Sequence, residues 1–187
     1  MNPRIPFADP EKLPPTTREA LEGTPDLSIF KTLANAEAAF PHFIDFLASL
    51  WDESELSARH RELAILTVAR SLGSEYEWSQ HIEVARLCGI SDDEISRIDR
   101  LDFQGFDQAE AEMLALVAQT AGPGPTDENL FERVRGQLGD RRTAELILVA
   151  TTYAGIAGVI EAFGLGVDDH RGVGDLELGE EGPKLGN

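Results

Sequence analysis

The stretch Ser-Glu-Tyr-Glu-Trp-Ser-Gln-His at residues 74–81 lies between two strongly apolar helical segments. On an α-helix, Glu77 and His81 are four residues apart and therefore share a face, and Trp78 flanks that face. A carboxylate beside an imidazole fixes its tautomer and strengthens it as a base. The stretch therefore predicts an acid–base site on a helix.

The same residues also have a purely structural interpretation. Ser74 followed by Glu77 is the pattern of a capping box, in which the glutamate side chain folds back onto the first helical turn. A glutamate and a histidine four residues apart are also commonly a solvated surface pair. The pattern alone leaves both interpretations open.

Charge and composition limit the possible partners. The net charge is −18 over 187 residues, which disfavours nucleic acid and anionic membranes because both need a cationic surface. No run approaches the roughly 20 apolar residues of a membrane span, and the first residues lack an apolar signal region. The single cysteine, Cys88, excludes an internal disulfide and a Cys-x-x-Cys pair. We therefore expect a cytoplasmic protein that binds a small molecule without a cofactor.

Two segments have the pattern of buried helices. Residues 57–72 and 141–163 are apolar on nearly every side, which indicates central positions. Glu62 is a carboxylate within the first of them. Gly155 and Gly158 in the second suggest a close crossing with another helix. Because clear period-two alternation is absent, the predicted fold class is all-α.

The chain divides into three parts by composition. Residues 1–24 form a proline-rich arm and a short helix, and the arm is expected to lie on its own subunit or on a partner. Residues 25–168 form the helical domain. Residues 169–187 are acidic and glycine-rich, and we expect a mobile tail there.

Three segments together resemble the carboxymuconolactone decarboxylase family of the alkylhydroperoxidase D-like superfamily. They are residues 61–66 (Arg-Glu-Leu-Ala-Ile-Leu), 75–81 (Glu-Tyr-Glu-Trp-Ser-Gln-His) and 89–95 (Gly-Ile-Ser-Asp-Asp-Glu-Ile). The resemblance extends over roughly residues 25–168. It implies an all-helical bundle with a helical hairpin at its core, assembled into obligate oligomers that are commonly trimers or hexamers.

The resemblance also implies a site. In the peroxidase branch, a glutamate, a Cys-x-x-Cys pair and a histidine form a proton relay. Glu62 matches that glutamate and His81 that histidine, whereas Ser74 and Glu77 stand where the two cysteines would be. Thiol peroxidase chemistry needs a thiolate and a resolving thiol, and Cys88 lies too far along the chain to replace either. An antioxidant function by that mechanism is therefore disfavoured.

The remaining side chains suggest acid–base chemistry of the decarboxylase, isomerase or lyase type. The decarboxylase reaction of the family acts on a lactone carboxylate. In this interpretation His81 delivers the proton, Glu62 or Glu77 orients it, and Tyr76 donates a hydrogen bond to the developing oxyanion. Trp78 and Ser74 are candidate substrate-binding residues. An arginine to bind the substrate carboxylate would have to come from three positions, which are Arg59, Arg61 and Arg70.

Two alternatives remain open. Glu62, Glu77, His81 and His60 carry oxygen and nitrogen donors that suit zinc or iron, although no His-x-x-x-His or Glu-x-x-His pair is present. The protein could instead be a non-catalytic helical oligomer or a ligand-binding protein. The helices at residues 57–72 and 141–163 carry more apolar surface than a monomer of this size can bury. We therefore expect a homo-oligomer, a trimer or a multiple of it, with a dimer as the alternative.

Overall fold

The computed structural model describes residues 3–168 and two short strands further along the chain. The helices have these bounds: α1 Pro15–Glu22, α2 Ser28–Leu33, α3 Phe40–Asp52, α4 Ala58–Leu72, α5 Glu75–Leu87, α6 Asp92–Asp99, α7 Gln108–Ala121, α8 Glu128–Leu138 and α9 Asp140–Phe163. A 3₁₀ turn, Phe103–Gly105, joins α6 to α7. The predicted all-α class is confirmed.

The only strands in the described parts of the chain are β1 (Leu178–Gly179) and β2 (Gly182–Pro183), which pair antiparallel. They fall in the segment for which the sequence suggests a mobile tail. Apart from these four residues, that prediction concerns residues outside the described part of the chain. Two-residue strands add no sheet layer to the helical domain.

Helix α4 is the centre of the core. Residues 61–69 are all buried, as its nearly continuous apolar circumference predicts. It packs against α5, α7 and α9. Its largest fully buried apolar side chains are Leu63, Ile65 and Leu66, and truncating one of them to alanine should cost about 2–5 kcal/mol.

A two-residue turn folds α4 and α5 into a hairpin. Gly73 ends α4 with a φ of 68°, a left-handed conformation that glycine adopts without a side-chain penalty. The Ser74 N–H then donates to the Ala69 carbonyl at 2.8 Å. Because the turn is this tight, the inward faces of the two helices lie directly opposite each other.

The proline-rich arm packs on its own chain. The Arg4 N–H donates to the Phe163 carbonyl at 2.8 Å, and the Ala8 N–H donates to the Lys31 carbonyl at 2.9 Å. Leu13 is buried in a small apolar cluster with Phe40. Of the two positions expected for the arm, on its own subunit or on a partner, the structure shows the first.

Helix α9 buries one face and leaves the other open. The expectation that no stretch approaches the length and apolar character of a membrane span does not hold for α9, the one helix in the described ranges that meets both criteria. Its buried face packs against α4, α7 and α8. Its open face carries a stripe of small or apolar exposed residues at alternating spacings of four and three: Ala144, Leu148, Thr151, Gly155 and Gly158. An added Cβ at either glycine would meet nothing within 4 Å, so no helix within residues 3–168 crosses there.

We propose that this stripe is the contact through which the protein forms a homo-oligomer, a trimer or hexamer as the resemblance implies. Leu148 is 45% exposed within one subunit, and Leu148→Glu would place a charge in the contact. We expect light scattering to give a multiple of the monomer mass for wild type and a smaller assembly for Leu148→Glu. Leu101→Glu is the matched control, because Leu101 is 43% exposed outside the stripe. A wild type that is monomeric at micromolar concentration would contradict the proposal.

Candidate functional site

The α4–α5 hairpin joins Glu62 to His81. The His81 Nδ1 lies 2.9 Å from Glu62 Oε2. The Glu62 side chain is fully buried, whereas that of His81 is 13% exposed. A carboxylate accepts a proton from its partner, so the neutral imidazole carries its hydrogen on Nδ1 and has a free lone pair on Nε2. Glu62 thus orients the histidine as a base.

A cation beside Glu62 offsets part of the cost of burying that carboxylate. The Arg61 Nε lies 3.6 Å from Glu62 Oε1, and both side chains are buried. The Arg61 guanidinium also lies over the Trp51 ring at 4.2 Å and donates to the Trp51 carbonyl at 3.1 Å. Arg61 is therefore held by the core beside Glu62.

Two aromatic residues that the sequence analysis did not assign to the site form its wall. The edge of the Tyr153 ring meets His81 at 5.2 Å between centroids and an interplanar angle of 85°. The Trp51 ring lies 6.2 Å from His81, and its Nε1–H donates to the Tyr153 hydroxyl oxygen at 3.1 Å. Trp51 and Tyr153 thus hold each other against the imidazole.

Glu77 lies one turn before His81 on α5, but the described residues provide no cationic or hydrogen-bonding partner for it like those of Glu62. It is 3% exposed, and neither carboxyl oxygen has a well-formed hydrogen bond within residues 3–168. Burial raises the pKa of Glu77 to about 8, and the nearby Ser74 hydroxyl only partly opposes this. A carboxyl group in such a site is mostly protonated at neutral pH and is a hydrogen-bond donor.

The capping-box interpretation of Ser74 and Glu77 is wrong. Ser74 is the N-cap of α5, but its side chain makes no capping hydrogen bond. The Ser74 N–H is already engaged by Ala69, so the Glu77 carboxyl group turns inward. A capping box does form at the start of α6, between Ser91 and Glu94.

Glu77 and His81 line one small cavity with a volume of about 70 Å³. The other lining residues come from α2, α3, α5 and α9 and from the residue before α2: Leu27, Ile29, Phe30, Phe43, Leu47, Trp51, Tyr76, Gln80, Tyr153, Ile156 and Ile160. Most of this lining is apolar. A small apolar cavity with a few convergent polar groups is the usual form of a small-molecule site.

Tyr76 lines the cavity with its ring, but its hydroxyl is occupied. That hydroxyl donates to Asp168 and accepts the Ile29 N–H at 3.3 Å. Asp168 also accepts the Ser28 N–H at 2.9 Å. Burial, followed by the hydrogen bond to Asp168, raises the pKa of Tyr76. Through these hydrogen bonds, Tyr76 and Asp168 hold the N-terminal end of α2 next to the cavity. Because the Tyr76 hydroxyl is already engaged, this arrangement does not support the oxyanion role expected for it.

Trp78 and Ser74 lie away from this cavity. Trp78 is buried in the main core, with the Arg70 guanidinium 4.0 Å from its ring. Ser74 lines a separate open groove along α9. The aromatic wall expected from Trp78 is formed by Trp51 and Tyr153 instead.

The three candidate arginines are engaged elsewhere. Arg59 binds Glu110, with Nε at 2.8 Å from Oε1, and also Glu94. Arg70 binds Asp99 at 2.6 Å, and Arg61 stacks on Trp51. None of them is among the residues that line the cavity, so the expected arginine for a substrate carboxylate is not found there.

The other two candidate chemistries receive no support from the geometry. The described residues contain no cluster of three or more His, Cys, Asp or Glu side chains that could hold a metal ion, and His60 lies beside Glu110. Burial, with a further contribution from the Glu62 charge, raises the pKa of Cys88 to about 12. A thiol with that pKa is neutral at physiological pH and is a poor nucleophile.

Comparisons with known proteins agree with this architecture. Residues 37–119, which include Glu62, Glu77 and His81, match the model of the carboxymuconolactone decarboxylase family. A crystal structure from Ralstonia eutropha JMP134, described as an alkylhydroperoxidase AhpD core of an uncharacterised peroxidase-related protein, superimposes with a TM-score of 0.76. It is 17% identical in sequence, and the alignment covers 92% of this chain and 96% of that one. At this identity the likeness establishes the fold alone. No curated protein has a significantly similar sequence.

The raised pKa of Glu77 predicts a pH-dependent stability. Between pH 4.5 and about 8 the folded protein keeps a proton that the unfolded chain releases, so Glu77 makes the free energy of unfolding fall as pH rises through this window. Glu77→Gln removes that contribution. We expect the variant to gain about 5 kcal/mol relative to wild type between pH 4 and pH 9, measured by chemical denaturation. Glu75→Gln, an exposed neighbour on the same helix, should keep the wild-type pH dependence. Parallel pH profiles for wild type and Glu77→Gln would contradict the assignment.

Proposed function

We propose that this chain is a thiol-independent acid–base enzyme. Its residues 37–119 match the model of the carboxymuconolactone decarboxylase family, and its fold is similar to that of an alkylhydroperoxidase AhpD core. It transfers protons on a small carbonyl-containing substrate, in a reaction of the isomerase, lyase or decarboxylase type. The chemistry uses Glu62, His81 and Glu77, without a cysteine.

One observation carries the proposal. Glu77, which stands in a position where the peroxidase branch has a cysteine, is a buried carboxyl group lining the same cavity as His81. A base with a fixed tautomer and an acid that keeps its proton near neutral pH therefore face the same small volume. Acid and base roles are usually assigned to two neighbouring titratable groups whose environments favour opposite protonation states.

The proposed roles follow from the two environments. The Nε2 of His81 removes a proton from a carbon next to a carbonyl group, and the Glu62 carboxylate stabilises the imidazolium that forms. The Glu77 carboxyl group donates a hydrogen bond to the oxygen on which negative charge develops. The aromatic wall and α2 keep water from the reacting atoms.

Exchange of carbon-bound hydrogen in D₂O tests the proposal. A panel of small ketones and lactones, with and without a carboxylate, is incubated with the protein, and loss of the α-proton signals is followed by NMR. We expect exchange with at least one panel member, reduced about 10²–10⁴-fold in His81→Ala because general acid–base catalysis is lost. His42→Ala is the matched control, since His42 is exposed on α3, and it should exchange at the wild-type rate. Absence of exchange across the panel, or equal rates in wild type and His81→Ala, would refute the proposal.

Cys88 provides an independent test of the thiol-independent chemistry. Its thiol is half-buried and neutral, so we expect Cys88→Ala to leave α-proton exchange unchanged. We also expect wild type not to consume hydroperoxides in the presence of a dithiol reductant. Dithiol-dependent hydroperoxide consumption that Cys88→Ala abolishes would show that the chemistry depends on the thiol.

A further inference from the structure

The charges around the cavity disfavour an anionic ligand. Among the described residues, no lysine or arginine lines the cavity, and the nearest cation described above, Arg61, is buried between the Trp51 ring and Glu62. Glu77 lines the cavity, and Glu62 is hydrogen-bonded to the cavity-lining His81. A carboxylate placed there would lose its hydration without gaining a cationic partner, which costs several kcal/mol.

The hydrogen-bonding groups of the cavity suit a neutral oxygen acceptor instead. Tyr153 accepts the Trp51 indole N–H through its oxygen, which leaves its own phenolic proton to be donated. Glu77 carries a second proton in the same cavity. A tyrosine and a neutral carboxylic acid that donate together in an apolar site are an effective way to stabilise an enolate oxygen.

The size of the cavity limits the ligand. An apolar cavity of about 150 Å³ holds a benzene molecule. The present cavity, with its volume of about 70 Å³, is about half that size and suits a reacting group of roughly three non-hydrogen atoms, such as a carbonyl group with its neighbouring carbon. The aliphatic and aromatic side chains of its wall favour an apolar ligand body.

We propose that the cavity binds a compact, uncharged carbonyl compound whose oxygen accepts hydrogen bonds from Tyr153 and Glu77. This inference rests on the proposed function and narrows its substrate class from small carbonyl compounds in general to neutral ketones, aldehydes, esters or lactones. It thereby excludes decarboxylation, which needs a carboxylate on the substrate. It also assigns Tyr153 as an oxyanion donor, the role that the sequence suggested for Tyr76.

The reaction at such a substrate balances without a redox partner. The Nε2 of His81 takes a proton from the carbon next to the carbonyl group, and the electron pair of that C–H bond forms a carbon–carbon double bond. The carbonyl π electrons move to oxygen, where Tyr153 and Glu77 donate to the enolate. If the imidazolium first exchanges its proton for a deuteron of the solvent, return of that deuteron to the same carbon gives exchange. Return to a conjugated carbon gives an isomer.

Three ligands of equal size test the proposal: butanone, propionate and 2-methyl-1-butene. Butanone has the neutral acceptor, propionate has a charge, and the alkene has neither. Binding at pH 7 is followed through the NMR signals of the His81 ring, and hydrogen bonding through the carbonyl shift of ¹³C-labelled butanone. We expect butanone to bind at least about tenfold more tightly than either analogue, since a hydrogen bond to such a donor contributes on the order of 1.5 kcal/mol, and its carbonyl signal to move downfield.

Tyr153→Phe keeps the ring and removes the donor. We expect this variant to bind 2-methyl-1-butene as wild type does, to lose most of the preference for butanone, and to reduce the downfield shift. Equal or tighter binding of propionate or the alkene by wild type, no binding of any of the three, or an unchanged carbonyl shift in Tyr153→Phe would overturn the substrate class. Butanone that binds with the expected shift but does not exchange its α-protons would instead refute the proposed function and leave the substrate class standing.

Discussion

Two carboxyl groups, those of Glu62 and Glu77, are buried near the His81 imidazole. The chemistry of the site depends on the different surroundings of these two groups. Glu62 has the His81 Nδ1 at 2.9 Å and the Arg61 guanidinium close by, so its charge is compensated. Within residues 3–168 Glu77 has no such partner, and burial raises its pKa to about 8. The fold thus sets a partnered carboxylate and a protonated acid beside the same histidine.

Much of this arrangement follows from local sequence. The apolar circumference of residues 57–72 predicted a central helix, and Gly73 predicted where it ends. The helix and its end are short-range inferences from helical period and turn chemistry, and they need no knowledge of how distant helices pack. The pairing of Glu62 with His81 was expected from the family resemblance instead, and the tight hairpin explains how the two residues meet.

The remaining parts of the site depend on contacts between residues far apart in the chain. Tyr153 lies 102 positions beyond Trp51, to which it is hydrogen-bonded, and Tyr76 is held by Asp168, which is 92 positions away. Trp78 was misplaced for a related reason. Helix α5 is buried on two sides, and spacing alone does not tell which side faces the cavity and which faces Arg70 of α4.

The central claim is that Glu77 keeps its proton at neutral pH while lining the cavity beside His81. The most direct measurement is the titration of the Glu77 side-chain carbonyl carbon by ¹³C NMR in the folded wild-type protein, with the signal assigned by its loss in Glu77→Gln. The structure predicts a midpoint near pH 8. A midpoint near the ordinary glutamate value of about 4.3 would mean that Glu77 is ionised at neutral pH and would contradict the acid–base account of the site.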